Sequence, residues 1–259
     1  MITNQLKSDT YSIYYELHGP QQADLPLLIF LHEGLGSVSQ WKNFPKRLSH
    51  RLNCRILLYD RIGYGQSSPV SGIRETNYLH QEAAIYLPEL LDHLGIDKPV
   101  NLFGHSDGAT LALLFASMFP EMVNKLAIEA PHVIIEDKTA NAIFSVIGEW
   151  NSGKLQKRMQ KHHPNKADSM FWSWAGFWNN SANYSWSILE ELKSIKSPLL
   201  FIQGHDDIFG TEHQAELVKS YISADYQELL IDGCGHIPHL EFEDLVLEET
   251  ASFFLEKLM

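Results

Sequence analysis

Short apolar runs alternate with longer stretches of helical periodicity along most of the chain. The runs have the length of strands that are covered on both faces; they are residues 27–31, 55–59, 100–103, 125–128, 198–202 and 227–231. The helical stretches are residues 78–94, 109–119, 211–221 and 245–258. This alternation predicts an α/β fold with a mostly parallel, twisted sheet and helices on both faces.

Two segments depart from the alternation. Residues 11–17 alternate polar and apolar side chains, which is typical of an antiparallel edge strand. Between Val133 and Leu192 no strand-like run occurs, and the window that begins at Met170 is rich in Trp and Phe. We therefore divide the chain into a first core part at residues 1–132, a helical insertion at residues 133–192 and a second core part at residues 193–259.

The segment Gly104-His105-Ser106-Asp107-Gly108 lies between a predicted buried strand and a predicted buried helix. A sharp strand-to-helix turn at such a G-x-S-x-G pattern exposes the serine hydroxyl. The glycines leave room for neighbouring backbone, and the N-terminus of the helix favours developing negative charge. The pattern predicts a nucleophile at Ser106 rather than a structural serine in a tight turn.

A nucleophilic serine needs a general base, and the base needs an orienting acid. Asp207 follows the predicted strand 198–202, and His236 follows the predicted strand 227–231 on a glycine-rich loop. The order Ser, Asp, His along the chain is the one used with this strand-turn-helix nucleophile. Open α/β sheets also place their sites at the carboxyl ends of strands. The sequence therefore predicts a catalytic triad of Ser106, Asp207 and His236.

These motifs resemble the α/β-hydrolase fold superfamily over nearly the whole chain. Residues 31–37 resemble the family's His-Gly loop, and residues 59–68 resemble its D-x-R-G-x-G-x-S turn. The resemblance implies an acyl-enzyme mechanism and a helical lid formed by the insertion. It also implies an oxyanion hole made by the backbone N–H groups of Gly34 and Asp107.

Two carboxylates depart from the family's pattern. Glu33 stands where the family usually has glycine, and Asp107 stands where an apolar residue is common. We expect both side chains to point away from the oxyanion and to brace their loops. The alternative is that one of them faces the pocket and binds a polar or cationic group of the substrate.

The insertion is expected to determine the substrate. Aromatic side chains there offer apolar faces, and for tryptophan an N–H donor. The candidate substrate-binding residues are Glu33, His132, Trp172, Trp174, Phe177 and Trp178. They predict a small-molecule substrate with an apolar or aromatic portion.

No metal or cofactor is expected. The adjacent His162 and His163 lack a carboxylate or cysteine at a spacing that would complete a zinc site, and a solvated face is the expected environment for both. No G-x-G-x-x-G dinucleotide motif follows the first strands.

Charge and apolar content limit the partners. The chain has 20 Lys and Arg against 32 Asp and Glu, a net charge of −12 that argues against nucleic-acid binding. No apolar run approaches the roughly 18 residues of a membrane span, and the first residues lack a signal-peptide pattern. Two cysteines form no disulfide framework. We expect a cytoplasmic protein that binds no membrane; the oligomeric state stays open.

Three classes of function remain. The preferred prediction is a serine hydrolase of the carboxylesterase type, which acts on a small carboxylic ester, a thioester or an amide. The second class is a carbon–carbon bond hydrolase or lyase. The segment from His32 to Ser37 is similar to a loop of menaquinone-pathway cyclohexadiene-carboxylate synthases and of ring-cleavage-product hydrolases. The third is a small-molecule binding protein of the same fold.

Overall fold

The computed structural model describes residues 2–20, 22 and 24–256, and these contain one sheet of eight strands. The strands are β1 (Ile2–Lys7), β2 (Ser12–His18), β3 (Leu27–Leu31), β4 (Arg55–Tyr59), β5 (Val100–His105), β6 (Val123–Glu129), β7 (Leu199–Gly204) and β8 (Tyr226–Ile231). Their order across the sheet is β1-β2-β4-β3-β5-β6-β7-β8. The pairs β1/β2 and β2/β4 are antiparallel, and all others are parallel. The predicted α/β-hydrolase architecture is confirmed.

Helices cover both faces of the sheet. They are α1 (Phe44–Leu52), α2 (Tyr78–Gln81), α3 (Leu87–His93), α4 (Asp107–Met118), α5 (Asp137–Asn151), α6 (Lys154–Met159), α7 (Ala167–Trp178), α8 (Leu189–Leu192), α9 (His213–Tyr221), α10 (Pro238–Glu241) and α11 (Glu243–Leu255). A π-helical turn at Glu82–Tyr86 joins α2 to α3, so the predicted helix at 78–94 is not regular. The predicted helix at 245–258 begins earlier, and its last two residues lie outside the described part.

The N-terminal strands correct one expectation. The strand predicted at residues 11–17 is antiparallel, but it lies inside the sheet because β1 pairs with its outer side. Only Leu6 is buried in β1. An edge strand with a mostly solvated surface has no apolar periodicity, so the sequence pattern did not reveal it.

The central helix α4 follows the middle strand β5 and packs between the sheet and the helices α2 and α8. Ten of its residues, from Asp107 to Ala116, are buried. The opposite face of the sheet is covered by α1 and α11, whose apolar side chains form a separate core cluster. Cys54 and Cys234 are buried free thiols within that cluster. No helix in the described part of the chain could cross a bilayer.

Four helices, α5 to α8, occupy the region between β6 and β7 where a helical insertion was predicted. An isolated antiparallel bridge between Ile134 and Ser187 joins its two ends. His163 attaches the insertion to the core: its Nδ1 accepts from the backbone N–H of Gly65 at 2.9 Å, and its Nε2 lies 3.0 Å from the carbonyl oxygen of Leu35. This side chain is fully buried, so the expectation of a solvated His163 was wrong.

Candidate active site

Ser106 occupies the sharp turn between β5 and α4. Its φ of 53° and ψ of −120° are strained for a residue with a side chain. The glycines on either side are needed for steric reasons. A Cβ atom at Gly108 would lie 1.9 Å from the carbonyl oxygen of Leu31, and one at Gly104 would lie 2.4 Å from that of Gly108. The backbone N–H of Ser106 donates to the carbonyl of Glu129 at 2.8 Å, which fixes the turn against β6.

The structure brings Ser106, His236 and Asp207 into one chain of hydrogen bonds. The Nε2 atom of His236 lies 3.0 Å from the Oγ atom of Ser106, and its Nδ1 atom lies 2.8 Å from Oδ2 of Asp207. A hydrogen on Nδ1 donates to the carboxylate and leaves Nε2 free to accept the serine proton. Ser106 follows the carboxyl end of β5, Asp207 that of β7 and His236 that of β8, so all three lie at the same edge of the sheet.

Asp207 is held in its ionised form. The side chain is 1% exposed, and burial alone would raise the pKa of its carboxyl. The charge and hydrogen bond of His236, with the N–H of Phe209 at 2.8 Å, instead lower the pKa of Asp207 to about 2. An amide hydrogen of Gln203 adds a bond of 2.6 Å to Oδ2. The carboxylate can therefore orient the ring of His236 and stabilise its protonated form.

The loop that carries His236 is fixed from three sides. Glu241 accepts hydrogen bonds from the backbone N–H groups on either side of the histidine, Gly235 at 2.7 Å and Ile237 at 3.0 Å. Nε2 of His105 lies 2.7 Å from the carbonyl oxygen of His236. Glu129 accepts from the N–H of His239 at 2.6 Å and contacts its Nδ1 at 2.5 Å. These bonds fix the backbone around the imidazole that contacts Ser106.

His105, Glu129 and His239 form a group of possible metal ligands within the described residues, with ligand atoms within 4.8 Å of one another. Their hydrogen bonds explain this proximity. Both oxygens of Glu129 already bind His239, and one ring nitrogen of His105 binds the backbone of His236. The group acts as a hydrogen-bond network behind the nucleophile.

The predicted oxyanion loop lies over the turn of Ser106. His32 is fully buried, with Nδ1 2.8 Å from the carbonyl oxygen of Glu33 and Nε2 accepting from the N–H of Arg61 at 3.1 Å. The guanidinium of Arg61 donates to the same Glu33 carbonyl at 2.9 Å. Asp107 is the first residue of α4, so its N–H has no partner within the helix. The ring of Trp174 packs directly on Gly34, because a Cβ atom there would lie 2.0 Å from the indole nitrogen.

The two unusual carboxylates differ in orientation. Oδ2 of Asp107 accepts from the hydroxyl of Tyr78 at 2.7 Å and lies 3.6 Å from the guanidinium of Arg61, so this side chain braces the interior as expected. Glu33 instead lines the cavity, with one carboxylate oxygen 3.7 Å from Nδ1 of His105. Burial opposes ionisation of both groups. Their mutual attraction nevertheless lowers the pKa of Glu33 to about 2 and, with the charge of Glu129, raises the pKa of His105 to about 9.

A cavity of about 580 Å³ lies above Ser106, between the sheet and the insertion. His132, Trp174 and Trp178 line it, as predicted for candidate substrate-binding residues. Trp172 is 43% exposed and Phe177 packs against Tyr78, Trp178 and Trp186. Neither is among the lining residues, so their assignment to the pocket was wrong.

Sequence reasoning did not identify several apolar residues that line the cavity. They are Ile143, Val146, Leu155, Met159 and Phe209. The ring of Phe209 lies 4.6 Å from that of His236, two residues after Asp207. The sequence analysis predicted helices in the insertion but did not assign which of their residues face the cavity.

Comparisons with known proteins identify the fold family of the chain. A family model described as the alpha/beta hydrolase fold matches residues 26–171. The chain is 24% identical over 274 residues to a proline iminopeptidase of Lactobacillus helveticus, covering 90% of this chain and 91% of that protein. It is also 24% identical over 263 residues to a putative esterase/lipase of Haemophilus influenzae, covering 92% and 87%.

Solved structures share the fold along the full length. An alpha/beta hydrolase enzyme from a Medee basin deep-sea metagenome library superimposes with a TM-score of 0.78 at 19% identity and covers 99% of this chain and 98% of its own. The enol-lactonase from Burkholderia xenovorans gives a TM-score of 0.77 at 18% identity and covers 98% and 100%. At these identities the likeness concerns the fold.

Proposed function

Because the chain belongs to the α/β-hydrolase fold family, we propose that it is a serine hydrolase that cleaves a small carboxylic ester through an acyl-enzyme intermediate. The observation that supports this most directly is the chain of contacts from Ser106 Oγ through His236 to Asp207, at 3.0 and 2.8 Å. The three hydrogen-bonded side chains lie beside a cavity whose volume is typical of a small-molecule site.

In the proposed reaction, Ser106 attacks the ester carbonyl while Nε2 of His236 takes the hydroxyl proton. Asp207 stabilises the imidazolium that forms. The protonated His236 then gives its proton to the departing alkoxide, and the acyl group remains on Ser106. A water molecule attacks this acyl-enzyme with His236 again as the base, which releases the acid and restores the serine.

The oxyanion of each tetrahedral intermediate would be bound by the backbone N–H groups of Gly34 and Asp107. These donors are fixed before the reaction, so they lose little energy in reorganising as charge develops. Removing one such donor typically costs about 3–4 kcal/mol of transition-state stabilisation. Neither the carboxylate of Glu33 nor that of Asp107 is required for this step, because the donors are backbone groups.

Labelling and turnover test the proposal together. We expect a fluorophosphonate probe to label Ser106 and 4-nitrophenyl esters to be hydrolysed, and we expect Ser106→Ala to abolish both. Ser117→Ala, a change near the end of the same helix, serves as the control. The loss in turnover should be about 10⁴-fold or more, as for other nucleophile deletions in triads.

The same panel distinguishes the other classes. It includes esters of graded acyl length, a thioester and proline 4-nitroanilide, since proline iminopeptidases are among the relatives. Labelling of Ser106 without hydrolysis of any of them would favour carbon–carbon bond chemistry. Substrate-like binding without labelling and with turnover far below about 10 s⁻¹ would favour a binding protein and would overturn the proposal.

A further inference from the structure

Besides Nδ1 of His105, which faces the carboxylate of Glu33 at 3.7 Å, three buried polar atoms of cavity-lining residues lack a hydrogen-bond partner among the described residues. They are the indole nitrogens of Trp174 and Trp178 and the Nδ1 atom of His132. The three residues are 6%, 2% and 4% exposed. A buried polar atom without a partner typically costs about 1–3 kcal/mol, so such atoms are rare in stable interiors. Because these three residues line the cavity of Ser106, a bound molecule can supply the missing bonds.

Other buried polar atoms of the described residues also lack a partner, but not every buried tryptophan of the insertion does. Trp186, another buried tryptophan of the insertion, donates its indole N–H to the carbonyl of Thr76 at 3.2 Å. Trp174 and Trp178 are four residues apart on α7, which places their side chains on one face of the helix. That face forms part of the cavity wall.

These side chains lie close to the catalytic groups. Trp174 packs on Gly34 of the predicted oxyanion loop. The ring of Trp178 lies 5.2 Å from that of His132, and the ring of His132 lies 6.0 Å from that of His236. A group bound to them would therefore belong to the part of the substrate next to the scissile carbonyl.

The chemistry of the three atoms defines what they can bind. Indole nitrogens only donate hydrogen bonds. In His132 the Nε2 atom lies 3.2 Å from the carbonyl oxygen of Phe209, so Nε2 carries the hydrogen and Nδ1 accepts. Burial, aided by the charge of His236, lowers the pKa of His132 and keeps its ring neutral.

The set therefore offers two donors and one acceptor without a positive charge. A carboxylate bound to these three atoms would lose its hydration without a cation among them, and the protonated ring of His105 on the same lining is already paired with ionised Glu33. A hydroxyl or keto oxygen pairs with the same atoms and requires no counter-charge.

We propose that Trp174, Trp178 and His132 bind a neutral oxygen substituent, a hydroxyl or a keto group, on the acyl part of the substrate. This inference rests on the proposed ester hydrolysis and narrows its substrate class to hydroxyacyl or oxoacyl esters. A site built to bond such an oxygen discriminates against the analogue that lacks it, because the site's own polar groups are then left unpaired.

The test compares 4-nitrophenyl butyrate with the corresponding 2-hydroxy, 3-hydroxy and 3-oxo esters. For the wild type, we expect at least one oxygenated ester to be preferred in kcat/KM. Trp174→Phe and Trp178→Phe remove the N–H but keep an aromatic ring, and each should reduce that preference about tenfold, the effect of one lost hydrogen bond of about 1.4 kcal/mol. Intrinsic differences in reactivity between the esters affect the wild type and the variant equally, so they cancel when the two preferences are compared. Trp172→Phe, on the exposed side of the same helix, should leave the preference unchanged.

If Trp174→Phe and Trp178→Phe lowered kcat/KM equally for butyrate and for the oxygenated esters, the inference would be overturned and the two indoles would have a packing role. Failure of the proposed function would look different, because the wild type would then hydrolyse none of the esters. A second measurement on Ser106→Ala does not depend on turnover or on the folding of a tryptophan variant. Ethyl 3-hydroxybutyrate or ethyl 3-oxobutyrate, but not ethyl butyrate, should shift the indole N–H resonances of Trp174 and Trp178. Unshifted resonances with both oxygenated esters would also overturn the inference.

Discussion

Asp107 contributes two different groups to the molecule. Its backbone N–H is a proposed oxyanion donor, whereas its carboxylate points into the core toward Tyr78 and Arg61. Arg61 is fully buried, and Asp107 is one of the negative charges that stabilise its guanidinium. The carboxylate thus compensates a buried cation one residue away from the nucleophile.

We expect Asp107→Asn to reduce stability and to leave ester preference unchanged. The amide keeps an oxygen for Tyr78 but leaves the charge of Arg61 less compensated. The free energy of unfolding, measured by urea denaturation, should fall by about 3 kcal/mol. Tyr78→Phe, which removes one neutral donor to the same carboxylate, should cost only about 1 kcal/mol. Altered relative rates across the ester panel in Asp107→Asn would contradict this interpretation.

Elements of the insertion show how far the sequence could predict the site. Ser106, Asp207 and His236 follow strands, and their residue types and order, together with the resemblance to the family's motifs, selected them. The orientation of the aromatic residues on α7 was not predictable in the same way. Trp174 and Trp178 line the cavity, but Trp172 faces solvent and Phe177 faces the core. An almost continuous apolar sequence does not indicate which side of the helix meets the cavity, because that depends on tertiary packing.

Another element of the insertion couples it to the core through His163. Its ring binds the turn at Gly65 and the carbonyl of Leu35, next to the proposed oxyanion donor Gly34. Sequence analysis placed this histidine on a solvated face because no carboxylate or cysteine stands at a spacing that would complete a metal site with it. Burial lowers its pKa from 6.5 to about 4, so the ring is neutral in the folded protein near neutral pH.

Protonation of His163 gives a pH prediction. Its pKa is lower in the folded than in the unfolded chain, so the unfolded chain binds the proton first as pH falls. Its contribution to stability is present above about pH 6.5 and should be lost progressively down to about pH 4, by about 3 kcal/mol in total. The difference in unfolding free energy between the wild type and His163→Asn should therefore shrink over that range. A difference that stays constant from pH 7 to 4 would contradict the assignment, and His213→Asn controls for removal of an exposed histidine.

At the scale of the whole molecule, the sheet and the insertion enclose a cavity with a mixed lining. Ionised and hydrogen-bonding groups surround Ser106, whereas Ile143, Val146 and Leu155 supply apolar surface from α5 and α6. The sequence predicted both layers, the sheet from its strand-like runs and the insertion from the absence of such runs between Val133 and Leu192. It could not predict the space between them, because the volume depends on how two separately patterned layers approach each other.

A larger side chain on the apolar part of the cavity lining should restrict the length of the acyl chain that the cavity accepts. Val146 lines the cavity and is only half-buried, so a larger side chain can be accommodated there without disrupting the core. We expect Val146→Phe to lower kcat/KM at least tenfold for 4-nitrophenyl octanoate and less than twofold for the acetate, because only the longer chain reaches this wall. Ser145→Phe, on the exposed side of α5, provides the control. An equal reduction of kcat/KM for the octanoate and the acetate would show that acyl chains do not extend toward α5.

The two native thiols have a practical consequence. Cys54 and Cys234 are buried, and burial raises their pKa values to about 11 and about 12. Hardly any thiolate exists at neutral pH, so alkylating reagents should find no reactive sulfur until the chain unfolds. A cysteine introduced at the exposed Ser145 would then carry a fluorophore or nitroxide alone. The label would report on the position of the helical layer relative to the sheet in an otherwise native background.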